Sequence, residues 1–223
     1  MITAIRSLVL AAALLAATGA PVFAQKALSL DTATIADVNA AFDAGTLTAE
    51  RLTQMCLTRI EAYDRQGPRL RALITINPKA LETARALDAE RKAKGPRSAL
   101  HGIPVVLKDN FDTADMPTTG GSVLLEGSIP PDDAFLVKKL RAAGAIIIAK
   151  ANMSEFASGP ARSSLGGQML NPHDLTRTPG GSSGGPGIAV AAAYAILGLG
   201  TDTGGSIRNP STANGIVGLK PTH

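Results

Sequence analysis

The chain has 223 residues, 45% of them hydrophobic and 18% charged, with a formal net charge of +4 and an isoelectric point near 9.4, a composition compatible with a soluble globular protein of one or two domains. Its basic residues are scattered and Trp is absent, so the excess charge reads as a solvated surface, not as a nucleic-acid groove, which needs basic side chains interleaved with stacking aromatics. A single cysteine, Cys56, excludes an intrachain disulfide.

Residues 1–24 read as a secretory signal peptide, with Arg6 in the basic region, "LVLAAALLAA" as the apolar stretch and "VFA" before Gln25 as the cleavage site. The apolar run is well short of the roughly 20 residues that span a bilayer. The expectation is a secreted or periplasmic protein that starts at Gln25 and keeps no stable membrane anchor. Two amphipathic helices follow, one over about 35–44 with Thr34 as cap and Gly45 as stop, and one over about 49–65 with Leu52, Cys56, Ile60 and Tyr63 on one face. Cys56 lies in that apolar pattern and reads as a core residue. "NPKALETARALDAERKAKGP" predicts a third helix, capped by Asn77, with Pro78 in its first turn, Gly95 and Pro96 at its end, and Leu81, Ala84 and Leu87 facing the core.

From about residue 100 short apolar runs alternate with helical patterns: "IPVVLKD", a helix near 133–143, "AIIIAK", and "YAILGLG". This alternation predicts an α/β layer structure. It divides the chain into the leader 1–24, a helical segment 25–95 and a core 96–223. Between Pro160 and Gly187 runs a long Gly-, Ser- and Pro-rich stretch of the kind that is functional or disordered in compact domains. Pro186 is compatible with the first turn of a helix built from "GIAVAAAYA".

Ser182, Ser183, Ser206 and Ser211 cluster in two Gly-rich loops, "TPGGSSGG" and "GLGTDTGGSIRNPS". A serine hydroxyl needs a base to become a nucleophile. Only His101, His173 and His223 are present, and the Gly-x-Ser-x-Gly elbow is missing, since Ser206 stands in "TGGSIR". A lysine is the other route. Lys108 ends the apolar run "GIPVVLK", where burial favours the neutral amine that a base must be.

"GIPVVLKDNF", "TPGGSSGG", "GTDTGGSIRNPS" and "GIVGLKPT" together resemble the amidase signature family, in order, over about residues 30–223. The resemblance implies a mixed α/β sheet flanked by helices. It also implies a hydrolase that cleaves carboxamide C–N bonds through a Ser-Ser-Lys triad and an acyl-enzyme, with no cofactor and no metal. Carried onto this chain, Lys108 is the base, Ser182 the bridging serine in a cis peptide after Gly181, and Ser206 the nucleophile. The adjacent Ser183 is easily confused with Ser182. The backbone N–H groups of Thr203, Gly204, Gly205 and Ser206 supply the oxyanion hole. Asp202 and Arg208 either pair to hold the loop or touch substrate, and Gln168 reads equally as an entrance residue or as plain loop.

The expected partner is a small-molecule amide, with no nucleic acid. Proteins of that family are longer, so the scaffold is expected to be truncated on the C-terminal side, as a fragment or a short natural form. Uncovered sheet edges then favour self-association. Two other classes remain: a catalytically inactive, amidase-like binding or interaction module, and a binder that cradles phosphate in its Gly-rich loop, for which the Walker-type lysine is missing.

Overall fold

A computed structural model of the chain describes residues 28–222; the segment read as a signal peptide and His223 lie outside them. The first helix, α1 (Ile35–Asp43), starts on a reciprocal cap: Thr34 Oγ1 accepts the Asp37 N–H at 3.1 Å while the Asp37 carboxylate accepts the Thr34 N–H at 2.9 Å. Helix α2 (Ala49–Ile60) is capped by Thr48. It buries Leu52, Cys56 and Ile60 completely, and each such aliphatic side chain contributes about 1.5–3 kcal/mol.

The sequence reading carries α2 unbroken to Arg65 with Tyr63 inward, and the structure corrects this. Residues Glu61–Arg65 form a π-helical turn, whose i→i+5 bonding puts more residues in each turn and so rotates the face. Tyr63 is therefore 43% exposed, against the Arg59 guanidinium. Asp64 turns inward instead and accepts the Ala72 N–H at 2.7 Å. This contact leads into a strand absent from the sequence reading, β1 (Leu73–Ile76).

Helix α3 runs Ala80–Lys94, and Asn77 is not its cap. Its Oδ1 accepts the Lys79 N–H and its amide donates to Ile147 O, a link to the sheet. Ala80, Ala84 and Leu87 face the core, whereas Leu81 is only half-buried. Three further elements follow the predicted order: β2 (Pro104–Lys108), α4 (Phe135–Ala142) and β3 (Ile146–Ala151). The Gly-rich stretch holds a two-residue hairpin, β4 (Arg162–Ser163) with β5 (Gly167–Gln168), then α5 (Gly184–Ala191), β6 (Leu197–Leu199) and α6 (Arg208–Ala213). Pro186 sits in the first turn of α5.

The main sheet has the order β1-β3-β2-β6, with β1 antiparallel to β3 and the other pairs parallel. Every residue of β2 and β3 is buried, as expected where both faces of a parallel sheet are covered. Val106, Ile146 and Ile148 pack toward α2, α3 and α5, while Val105, Leu107 and Ile147 pack with Val137 of α4, Phe111 and Met116. The fold is thus a mixed sheet flanked by helices. Beyond β6 no strand is paired among the described residues, and Val217 and Leu219 lie exposed in the following segment. No described helix is long and apolar enough to cross a membrane.

Candidate active site

The carboxyl ends of β2 and β6 meet the start of α5 at one end of the sheet, where parallel α/β folds place their ligands. Lys108 is the last residue of β2 and is fully buried. Its Nζ lies 2.7 Å from Ser182 Oγ and 2.7 Å from Thr201 Oγ1. Burial pushes the ammonium down to about 8, against a smaller upward pull from the Asp202 carboxylate, so a useful fraction of the side chain is a neutral amine near neutral pH.

The peptide between Gly181 and Ser182 is cis. A side chain at Gly181 would put its Cβ 2.6 Å from Ser154 Oγ, and the Ser182 carbonyl accepts the Ser154 N–H at 3.0 Å. The two neighbouring serines have different partners. Ser182 faces Lys108, whereas Ser183 Oγ donates to Thr201 O at 3.2 Å and accepts the Thr201 N–H at 3.3 Å. The Ser183 N–H also donates to Ser206 O at 3.2 Å, so Ser183 ties one Gly-rich loop to the other.

Ser206 is half-buried beside these groups. Among the described residues its hydroxyl makes no hydrogen bond to Ser182, so the structure brings Lys108 and Ser182 into contact, while Ser206 is tied to that loop through its carbonyl, which accepts the Ser183 N–H. The loop before Ser206 is built around Asp202. That carboxylate accepts the N–H groups of Gly205 at 2.7 Å, Ile207 at 3.0 Å and Arg208 at 3.2 Å, and pairs with the Arg208 guanidinium through two contacts of 3.1 Å. The guanidinium, followed by those N–H groups, holds the Asp202 carboxyl far below the usual carboxylate range. Because Gly205 donates to Asp202, only the N–H groups of Thr203, Gly204 and Ser206 among the expected four lack a partner within the described residues.

Other sequence candidates have structural partners. His101 is buried, takes the Arg97 N–H on Nδ1 and contacts Leu87 O through Nε2 at 2.8 Å. His173 contacts Asn214 O. Gln168 donates to Ala161 O and Met169 O, so it braces its own hairpin. Burial pushes the Cys56 thiol up to about 12, which leaves it un-ionised and inert. No group of three or more metal-binding side chains occurs among the described residues.

Two features escaped the sequence reading. Thr201 stands in the quoted "GTDTGGS", yet only the fold shows its hydroxyl shared between Lys108 and the Asn110 amide, at 2.7 and 3.0 Å. Behind Lys108 lies a fully buried ion pair, Lys150 with Asp109 at 3.4 Å. Asp109 also holds the Thr119 hydroxyl and N–H and the Gly121 N–H, while Lys150 donates to Thr118 Oγ1 and Pro117 O. Together they fasten the 113–121 loop against the sheet.

Comparison with known proteins supplies the relationship. Over 192 residues the chain is 48% identical to a glutamyl-tRNA(Gln) amidotransferase subunit of Acidothermus cellulolyticus, covering 85% of this chain and 37% of that protein. The native peptide amidase of Stenotrophomonas maltophilia superposes with a TM-score of 0.82 at 49% identity, over 85% of this chain and 40% of that one. The corresponding amidotransferase subunit of Thermotoga maritima gives a TM-score of 0.70 at 36% identity, over 87% and 39%. The chain thus spans about two fifths of the length of these relatives. A family model described as Amidase matches residues 51–223, and on these similarities the chain belongs to the amidase signature family.

Proposed function

We propose that the chain cleaves carboxamide C–N bonds through an acyl-enzyme, with Ser206 as nucleophile, Ser182 as bridging serine and Lys108 as base. In this reading Ser206 Oγ attacks the amide carbon as its proton passes to Ser182, whose own proton passes to neutral Lys108. The oxyanion faces the free N–H groups of Thr203, Gly204 and Ser206, and loss of one such donor typically costs about 10²- to 10³-fold in rate. The C–N bond breaks as a proton returns along the same path to the leaving amine, and water then hydrolyses the ester. Catalytic hydrogen bonds often tighten only with substrate bound, and the relay requires the Ser206 hydroxyl to close on Ser182 in that state.

The observation that carries the proposal is the contact of 2.7 Å between the buried Lys108 amine and Ser182 Oγ. A fluorophosphonate probe tests it. Phosphonylation of Ser206, lost in Lys108→Ala, is the expected result, whereas a folded protein that resists the probe favours a non-catalytic binding module. The small-amide substrate class and export with processing at Gln25 belong to the same proposal, the latter checked by the N-terminal mass of the mature protein.

A further inference from the structure

A cavity of about 640 Å³ opens between the turn that precedes β1, the 117–127 segment and the β4–β5 hairpin. Its lining includes none of Lys108, Ser182 and Ser206, although Pro117 and Thr119 of that lining are held by the Lys150–Asp109 pair. Three guanidinium side chains line it, from Arg65, Arg69 and Arg71. Arg69 and Arg71 make no side-chain hydrogen bond or ion pair among the described residues. Two carboxylates also line the cavity, Glu126 and Asp64, of which Asp64 is turned to the Ala72 N–H and neither forms an ion pair with the three arginines.

The backbone here is held in an unusual form. Arg69 and Arg71 have φ of 53° and 55°, in the left-handed region, which residues with a Cβ occupy only where their surroundings enforce it. The enforcement comes from the residues between and beside them. Leu70 donates to Tyr63 O at 3.0 Å and accepts from the Leu170 N–H, while Ala72 donates to the Asp64 carboxylate and accepts from the Asn152 N–H at 2.7 Å. Leu70 and Ala72 are buried, and the alternate residues Arg69 and Arg71 are exposed toward the cavity.

The Asn152 amide fixes the Arg71 carbonyl at 2.9 Å. A Cβ at Gly167 would lie 2.5 Å from the Arg71 guanidinium, so the glycine makes room for that head group. Leu73, Leu165 and Pro117 add apolar wall. The rest of the lining is mixed, with Thr75, Thr119 and Ser164 beside that wall, and Arg65 also donates to Ile74 O at 3.3 Å. The two guanidinium groups without a partner, Arg69 and Arg71, suit the charged head of a small organic anion whose apolar part meets Leu73, Leu165 and Pro117.

We propose that this cavity is a second binding site, selective for a compact organic acid with a carboxylate head and an apolar body, recognised by Arg69 and Arg71 with Arg65. It lies at the same end of the sheet as Lys108, since Leu73 and Lys108 both pair with Ala151, but it stands independently of the proposed reaction.

Calorimetric titration of the full chain with 4-phenylbutyrate, 4-phenylbutanol and inorganic phosphate tests this. The carboxylate is expected to bind about tenfold or more tightly than either comparator, by the strength of charge-assisted pairing. Arg69→Gln/Arg71→Gln should abolish that preference with an unchanged circular dichroism spectrum, and Ser206→Ala should leave it intact. If the double variant misfolds, Arg69→Gln alone gives the readout, because that side chain has no structural partner among the described residues. Equal binding of the alcohol, equal binding of phosphate, insensitivity to the arginine substitutions, loss in Ser206→Ala, or no saturable binding at millimolar concentration would each overturn the proposal.

Discussion

Thr201 Oγ1 lies 2.7 Å from Lys108 Nζ and simultaneously accepts the Asn110 amide at 3.0 Å. Asn110 donates to one lone pair of that oxygen, and Lys108 donates to the other. The amine's own lone pair is then free to face Ser182 on the other side. Thr201→Val, of nearly equal volume, removes the acceptor and leaves the Lys108 proton inventory unordered. Labelling of Ser206 by a fluorophosphonate is expected to slow by about 10- to 100-fold, at the low end of general-base contributions. An unchanged rate constant in rapid-quench labelling would remove Thr201 from the site.

The pH dependence has a definite sign. Burial lowers Lys108 to about 8 while Asp202 opposes the shift, so the labelling rate should climb as the lysine deprotonates, with its midpoint near pH 8 and a plateau roughly a pH unit or more above. Asp202→Asn removes the opposing charge, which lowers the lysine further and moves the midpoint to lower pH. Stability follows the same group. Its folded value lies below its unfolded one, so the unfolded chain binds more protons between the two and stability rises with pH through that window. Lys108→Met should therefore raise Tm at neutral pH, by about 2–4 °C for each kcal/mol relieved, and should lose that advantage in alkaline solution. Differential scanning calorimetry across pH 6–10 measures both limbs.

Gly185, in the first turn of α5, faces backbone. A Cβ there would lie 2.2 Å from Asn152 O and 2.5 Å from Ala72 O, neither of which can swing aside. Gly185→Ala is expected to cost about 1–3 kcal/mol through overpacking, whereas Gly204→Ala, which meets nothing within 4 Å, should leave stability nearly unchanged. Chemical denaturation of the two variants gives the comparison directly.

Cys56 and the histidines supply controls. The buried thiol, pushed up to about 12, should resist iodoacetamide in the folded protein and react only on unfolding. His173→Gln should retain labelling at Ser206, since the ring contacts Asn214 O and no part of the site. Rapid native alkylation, or loss of labelling in a folded His173→Gln protein, would contradict these placements.

The helices were legible because their signals are local. Thr34 sits where a cap must sit, and Leu52, Cys56 and Ile60 recur at helical spacing. Strand β1 was hidden because Leu73–Ile76 is short and its pairing to Ala149–Ala151 is long-range. The π turn was hidden for a related reason: its cause is the inward pull of Asp64 on Ala72, which spacing in the sequence does not encode. In the site, the end of an apolar strand marked Lys108 as buried. Thr201 and the Asp109–Lys150 pair act through partners on other elements, so their roles emerge only when β2, β3 and β6 lie side by side.

Ser182 and Ser183 are chemically identical neighbours with opposite assignments: one hydroxyl meets Lys108, and the other fastens Thr201. A hydroxyl at one of these positions cannot stand in for its neighbour. Adding or deleting a single glycine among Pro179–Gly181 would slide the frame by one place and present the wrong serine to the lysine, with the composition of the loop almost untouched. This segment is accordingly more sensitive to changes of length than to changes of content.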